Sequence, residues 1–153
     1  MNAILKQTYM NANTLTETLT ASDTTKMAWV PWAMRGAHFK LLNVDRVTGQ
    51  YTLLIKVAAD VTAPLHRHIG TVEVYILEGS FYYLDAPDIK FEAGCYLHEK
   101  EGAIHQPASS EGAVMLSVFN GPIESIDANG KVLGQVDWAW HVNAWNAATS
   151  SAA

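Results

Sequence analysis

Short apolar or alternating runs, each closed off within a few residues by Gly, Pro, Asn or Asp, follow one another through most of this chain. They read AHFKLLNVD (37–45), QYTLLIKVAAD (50–60), TVEVYILEG (71–79), SFYYLD (80–85) and FEAGCYLHE (91–99). Further runs are AIHQP (103–107), AVMLSVFN (113–120), SID (125–127) and KVLGQVDWAW (131–140). Runs of this length, bounded by turn residues, are strands, and no amphipathic helical period interrupts them before residue 140. The expectation is an all-β antiparallel sandwich or barrel. Asn129-Gly130, between two such runs, predicts a hairpin with a type I′ turn. With 153 residues and 49% hydrophobic content the chain buries a core without disulfides, and Cys95 is its single cysteine.

The ends read differently. Residues 1–25 are polar and threonine-rich and predict an N-terminal arm. A single β-domain is expected over 26–145, and WNAATSSAA leads into a short final helix or strand and a flexible tail over 146–153. Pro31 in WVPW (29–32) favours an extended approach to the first strand. No apolar run approaches the ~20 residues of a membrane span, and the N-terminus has no secretory apolar block, so a cytoplasmic setting is expected. A net charge of −5 with scattered Lys and Arg gives no basic stripe for nucleic acid.

The residues that suggest chemistry lie in HRHIGTVEVYILEG (66–79). His66 and His68 stand at i and i+2, which on a strand points both imidazoles to one face. Two neutral imidazoles on one face make half of a transition-metal site. Glu73 interrupts an otherwise apolar run, and a buried carboxylate there would need a cation or a donor; the other reading is a charge on a solvated face beside Tyr75. His105, in GAIHQP, is the distant histidine that could close the set, and the four together read as a metal site. His38, His98 and His141 have no partner at ligand spacing and are assigned to surface or packing roles. Tyr75, Phe81, Tyr83, Trp138 and Trp140 are candidate lining residues.

His66-Arg67-His68, Glu73 and Gly79 resemble the first motif of the cupin superfamily, and GCYLHEKEGAIH (94–105) resembles the second, with His105 as its metal-binding histidine. Asp60 stands where that first motif usually opens with Gly, the Glu73–Gly79 spacing is one residue short, and Lys100 replaces the usual Pro of Pro-x-Gly. Trp29-x-x-Trp32, Gly36-x-x-x-Lys40-Leu41-Leu42 and FNGPIESIDANGKVLGQVDWAW (119–140) are similar to the ChrR-like cupins. Within these, the ending is similar to that of acetylacetone-cleaving β-diketone dioxygenases, with dihydroxyacetophenone dioxygenases as close relatives.

The resemblance implies a single-domain jelly-roll barrel with one divalent metal per subunit. In the diketone-cleaving type three histidines bind non-haem Fe(II), which maps onto His66, His68 and His105 and leaves Glu73 a supporting role. A second glutamate precedes the last ligand by six residues there; Glu99 holds that position here and would take a catalytic role near the metal. Zn, Ni and Mn also accept imidazoles. The implied activity is C–C cleavage of a small β-diketone or hydroxy-aryl ketone by O2, in a homodimer or homotetramer. Two rival readings are a non-catalytic zinc-binding sensory module of the ChrR type, against which the absence of room for a sigma-binding helical domain speaks, and a metal-dependent isomerase or lyase.

Overall fold

A computed structural model of the chain describes residues 21–150. Most of the arm expected over residues 1–25 therefore lies outside the described residues, as do residues 151–153. The large sheet is built from β1 (Val30–Pro31), β2 (Ala37–Val44), β3 (Tyr51–Val57), β4 (Val61–Thr62), β6 (Val72–Tyr83), β10 (Pro107–Ser109) and β11 (Ala113–Phe119). Its order is β1-β2-β3-β11-β6-β10-β4, and β7 (Ala86–Glu92) and β8 (Tyr96–Glu99) also pair with β6. A smaller sheet has the order β13-β12-β5-β9, formed by β5 (His66–His68), β9 (Ile104–His105), β12 (Ile123–Ile126) and β13 (Val132–Val136). Every pairing is antiparallel. The two sheets face one another as a jelly-roll barrel, the all-β fold expected. Among the described residues no helix is long and apolar enough to cross a membrane.

Period two decides what lies inside. In β3, Tyr51, Leu53 and Ile55 are buried, and in β6, Val72, Val74 and Ile76 are buried while Glu73, Tyr75 and Leu77 are exposed. The runs read separately as 71–79 and 80–85 form one continuous strand, β6. At the end of the domain the sequence reading needs correcting: the last run stops at Val136, and helix α1 (Trp138–Ser150) follows. Asp137 turns strand into helix, its Oδ1 accepting the Trp140 N–H at 2.8 Å and its carbonyl accepting the His141 N–H at 3.2 Å. The short final helix expected at WNAATSSAA is present, but it begins earlier, at Trp138, and takes in residues 146–150, which are expected in the flexible tail. Val142 and Trp145 bury its inner side against Phe39 and the core.

The Asn129-Gly130 hairpin exists, but its turn is not type I′. Gly130 has φ +81°, whereas Asp60 is the single described non-glycine residue with positive φ, so Asn129 is not left-handed as that turn requires. Instead the Gly130 N–H donates to the Asp127 carbonyl at 2.9 Å, closing Asp127–Gly130 as a type I turn whose fourth residue is the left-handed glycine. The Asp127 carboxylate selects this form by accepting the N–H groups of Asn129 and Lys131, both at 2.9 Å.

His141 is fully buried and fully paired. Its Nδ1–H donates to the Asp137 carbonyl at 2.6 Å, and its Nε2 accepts the Trp32 indole N–H at 2.8 Å. Tyr51 stacks on it and Phe39 meets it edge-on. Burial pushes this imidazole down to about 4, against the partial opposition of Asp137. The unfolded chain, with an ordinary histidine near 6.5, binds this proton while the folded chain does not, so stability is full above pH 6.5 and is lost as pH falls towards 4. The expected loss from this residue is roughly 3 kcal/mol at 1.36 kcal/mol per pH unit. Urea titrations at pH 7 and pH 4.5 should show a much flatter dependence for His141→Phe than for the wild type; equal dependence would assign the acid sensitivity elsewhere.

Candidate metal centre

β5 is only three residues long, and its position comes from its neighbours. It pairs with β12 through His66↔Ser125, Arg67↔Glu124 and His68↔Ile123, and with β9 through His66↔His105 and Arg67↔Ile104. Alternation sends His66 and His68 inward and Arg67 outward. The Arg67 guanidinium donates from Nε and Nη2 to Glu124 Oε2 on the facing strand, at 3.1 and 2.5 Å. Antiparallel pairing places His105 directly opposite His66, so the distant histidine joins the same inner face. The loop leading into β9 is tied to the same strand, with the Gly102 N–H donating to the His68 carbonyl at 2.8 Å and the His68 N–H to the Ala103 carbonyl at 3.0 Å. Lys100, standing where the motif usually has Pro, still forms the turn, its carbonyl accepting the Ala103 N–H at 3.1 Å.

The three Nε2 atoms form a nearly equilateral triangle with sides of 3.2 Å (His66–His68), 2.9 Å (His68–His105) and 3.1 Å (His105–His66). His66 Nδ1–H donates to the Pro64 carbonyl at 2.9 Å, which fixes its tautomer with the Nε2 lone pair free. Burial, and then the nearby His68, pushes the His66 imidazole down to about 4, and burial lowers that of His105. Converging lone pairs repel unless a cation or a shared proton lies among them. Imidazole ligands about 2.1 Å from a metal and at right angles to one another have nitrogens about 3 Å apart, the separation found here. The three histidines are positioned to bind a metal ion.

Glu99 closes β8 directly opposite Val72, on the inner face. Its Oε2 lies 3.1 Å from His68 Nε2, and its Oε1 lies 3.8 Å from His105 Nε2 and accepts the Tyr83 hydroxyl hydrogen bond. Burial raises this carboxyl, but the hydrogen bond with His68, the charges of His105 and His68, and the bond from Tyr83 outweigh it and hold it below its ordinary value. The Tyr83 ring stacks on His105 with centroids 4.7 Å apart. Burial, reinforced by the Glu99 charge, raises the Tyr83 phenol.

Glu73 is not brought to the triad. It sits between inward Val72 and Val74, across from His98, exposed on the outer face, where its Oε1 accepts the Tyr96 hydroxyl at 2.9 Å. Parity along the strand separates the two glutamates.

The triad opens into a cavity of about 350 Å³ between the sheets, walled by Ile55, Val72, Phe81, Met115 and Phe119, with Trp32 and Met34 also lining it. Of the five aromatics proposed as lining, Phe81 does line it. Tyr75 is exposed outside, Tyr83 lies behind Glu99 and His105, and Trp138 and Trp140 pack with α1 against the core. Trp32, Met34 and Phe119 were not proposed; their places depend on long-range pairing, and a periodic pattern marks Phe119 only as core. Among the described residues no Lys or Arg lines the cavity.

A sequence profile of the ChrR cupin-like domain matches residues 17–124. The chain belongs to the ChrR cupin-like family. It is 28% identical over 128 residues to the acetylacetone-cleaving enzyme of Acinetobacter johnsonii, covering 77% of this chain and 80% of that one. The crystal structure of acetylacetone dioxygenase from the same organism superposes with a TM-score of 0.73 at 25% identity, covering 92% of this chain and 99% of that one. A protein of unknown function with a cupin-like fold from Ralstonia eutropha JMP134 superposes with a TM-score of 0.81 at 29% identity, covering 89% and 88% of the two chains.

Proposed function

We propose that this cupin is an Fe(II)-dependent dioxygenase that cleaves a C–C bond in a small, uncharged β-diketone or hydroxy-aryl ketone. The observation that carries this reading is a ligand set of three imidazoles, with no carboxylate among them, at the floor of an apolar cavity. Such a set leaves a divalent ion its full +2 charge and open positions, which suit a bidentate monoanion such as a diketone enolate. A bound ferrous ion supplies Lewis acidity and the electron that dioxygen needs. The similarity to acetylacetone-cleaving proteins supports the same reaction type.

His66, His68 and His105 would hold the ion. Glu99, held ionised beside them, would accept at Oε2 the proton that the substrate loses on becoming an enolate. The walls of Ile55, Val72, Phe81, Met115 and Phe119 exclude water and offer no cationic partner for a carboxylate or phosphate on the substrate. The overall change adds both atoms of O2 across one C–C bond of the diketone, giving a carboxylic acid and a 1,2-dicarbonyl.

Oxygen uptake by ferrous-loaded protein is the test. Acetylacetone, phenyl-substituted diketones and hydroxyacetophenones should include a substrate consumed with one O2 per molecule, while diketones bearing a carboxylate should be turned over at least tenfold more slowly. Zinc bound tightly and no uptake with any member of the panel would replace this reading with the non-catalytic ChrR-like module. Substrate loss without oxygen loss would replace it with an isomerase or lyase.

A further inference from the structure

The environment of Glu99 poses a question that the three histidines do not answer. A carboxylate with one oxygen 3.1 Å from a ligating-type nitrogen is close enough to be recruited by a metal, yet among the described residues the set of mutually close ligand atoms contains the three histidines alone. One group on the page acts on its position from the other side. Tyr83, near the end of β6, donates its hydroxyl hydrogen bond to Glu99 Oε1, and its ring is fixed by stacking on His105 and by edge contacts with Phe81 and Phe91. The phenol is thus clamped by three rings and cannot follow the carboxylate if it moves.

We propose that Tyr83 is a positioning residue that tethers Glu99 outside the metal's ligand set and so keeps the centre a three-histidine one. This rests on the reading that the triad binds a divalent metal. A carboxylate that joined the ligands would cancel one unit of the ion's charge and take one of the positions an anionic chelate needs. It would also lose its freedom to accept a proton. The tether trades metal affinity for open coordination, so its loss should tighten metal binding, whereas the loss of a merely structural contact would loosen it.

The probe is Co(II), whose visible absorption reports its ligands, with affinity read by competition against a chelator. Tyr83→Phe keeps the ring stacking and removes the hydroxyl; it should bind Co(II) about tenfold or more tightly than wild type, within the range that changes around metal ligands produce. Its spectrum should shift as a carboxylate oxygen replaces solvent. In Tyr83→Phe/Glu99→Gln both effects should vanish, because an amide is a poor ligand. Wild-type spectrum and affinity in Tyr83→Phe, or changes that persist in the double variant, would overturn the tether while leaving the metal reading intact. Failure of the wild-type protein to take up cobalt would overturn the metal reading and the tether with it. Since neither readout uses oxygen, a failed dioxygenase assay does not affect the outcome.

Discussion

Replacing His68 by alanine is expected to strip the protein of its metal and of any oxygen uptake. His68 is the triad member closest to the other groups, with Nε2 3.2 Å from His66, 2.9 Å from His105 and 3.1 Å from Glu99. Four-ligand structural zinc sites bind with about 10–16 kcal/mol of apparent free energy, so one ligand is worth about 3 kcal/mol, or two to three orders of magnitude in affinity. After dialysis against a weak chelator, metal per chain measured by elemental analysis should fall from about one to below a tenth. Glu73→Gln supplies the opposite expectation. Its carboxylate faces solvent and bonds to Tyr96, so this variant should keep its metal in full. If His68→Ala retained stoichiometric metal, or Glu73→Gln lost it, the triad would not be the binding site.

That contrast also marks how far the chain could be read without coordinates. The i, i+2 spacing of His66 and His68 carries its own geometry, because strand parity is local. His105 could be named from its motif, but its place opposite His66 comes from β9 pairing with β5, a contact across almost forty residues that no local pattern encodes. Glu73 and Glu99 show the limit from the other side. An apolar run such as TVEVYILEG leaves two readings of its glutamate, a buried ligand or a charge on a solvated face beside Tyr75; the strand is buried on one face only, and period two gives the second. Directly across from Val72, the same rule turns Glu99 inward. The start of α1 is hidden in KVLGQVDWAW because Val136, Trp138 and Trp140 continue at strand spacing past Asp137, whose capping bond to the Trp140 N–H composition alone does not reveal. The Asn129-Gly130 turn was placed correctly but given the wrong type, since the carboxylate that selects it, Asp127, lies two residues before Asn129.

Gly79→Ala should be among the most damaging single substitutions outside the site, at a residue that the first cupin motif reserves for glycine. Gly79 has φ +67° in the middle of β6, facing Ala113 of β11 one residue before the register of that pairing shifts. A Cβ there would lie 2.0 Å from the Gly112 carbonyl oxygen and 2.9 Å from its carbon. Both are backbone atoms, and the same oxygen accepts the Ser80 N–H at 3.1 Å, so the clash cannot be relieved by turning a side chain. The left-handed backbone costs about 1–2 kcal/mol for a residue with a Cβ. Forcing the strands apart adds about 1–3 kcal/mol. The sum, about 2–5 kcal/mol, is a large share of the 5–15 kcal/mol that holds a typical domain folded. Gly130→Ala isolates the first part, because Gly130 has φ +81° but nothing within 4 Å of where its Cβ would go. Chemical denaturation should place Gly79→Ala at least 1 kcal/mol below Gly130→Ala. Equal losses for the two would mean that β6 and β11 can separate at this point without cost, and that glycine is needed there for its dihedral angles alone.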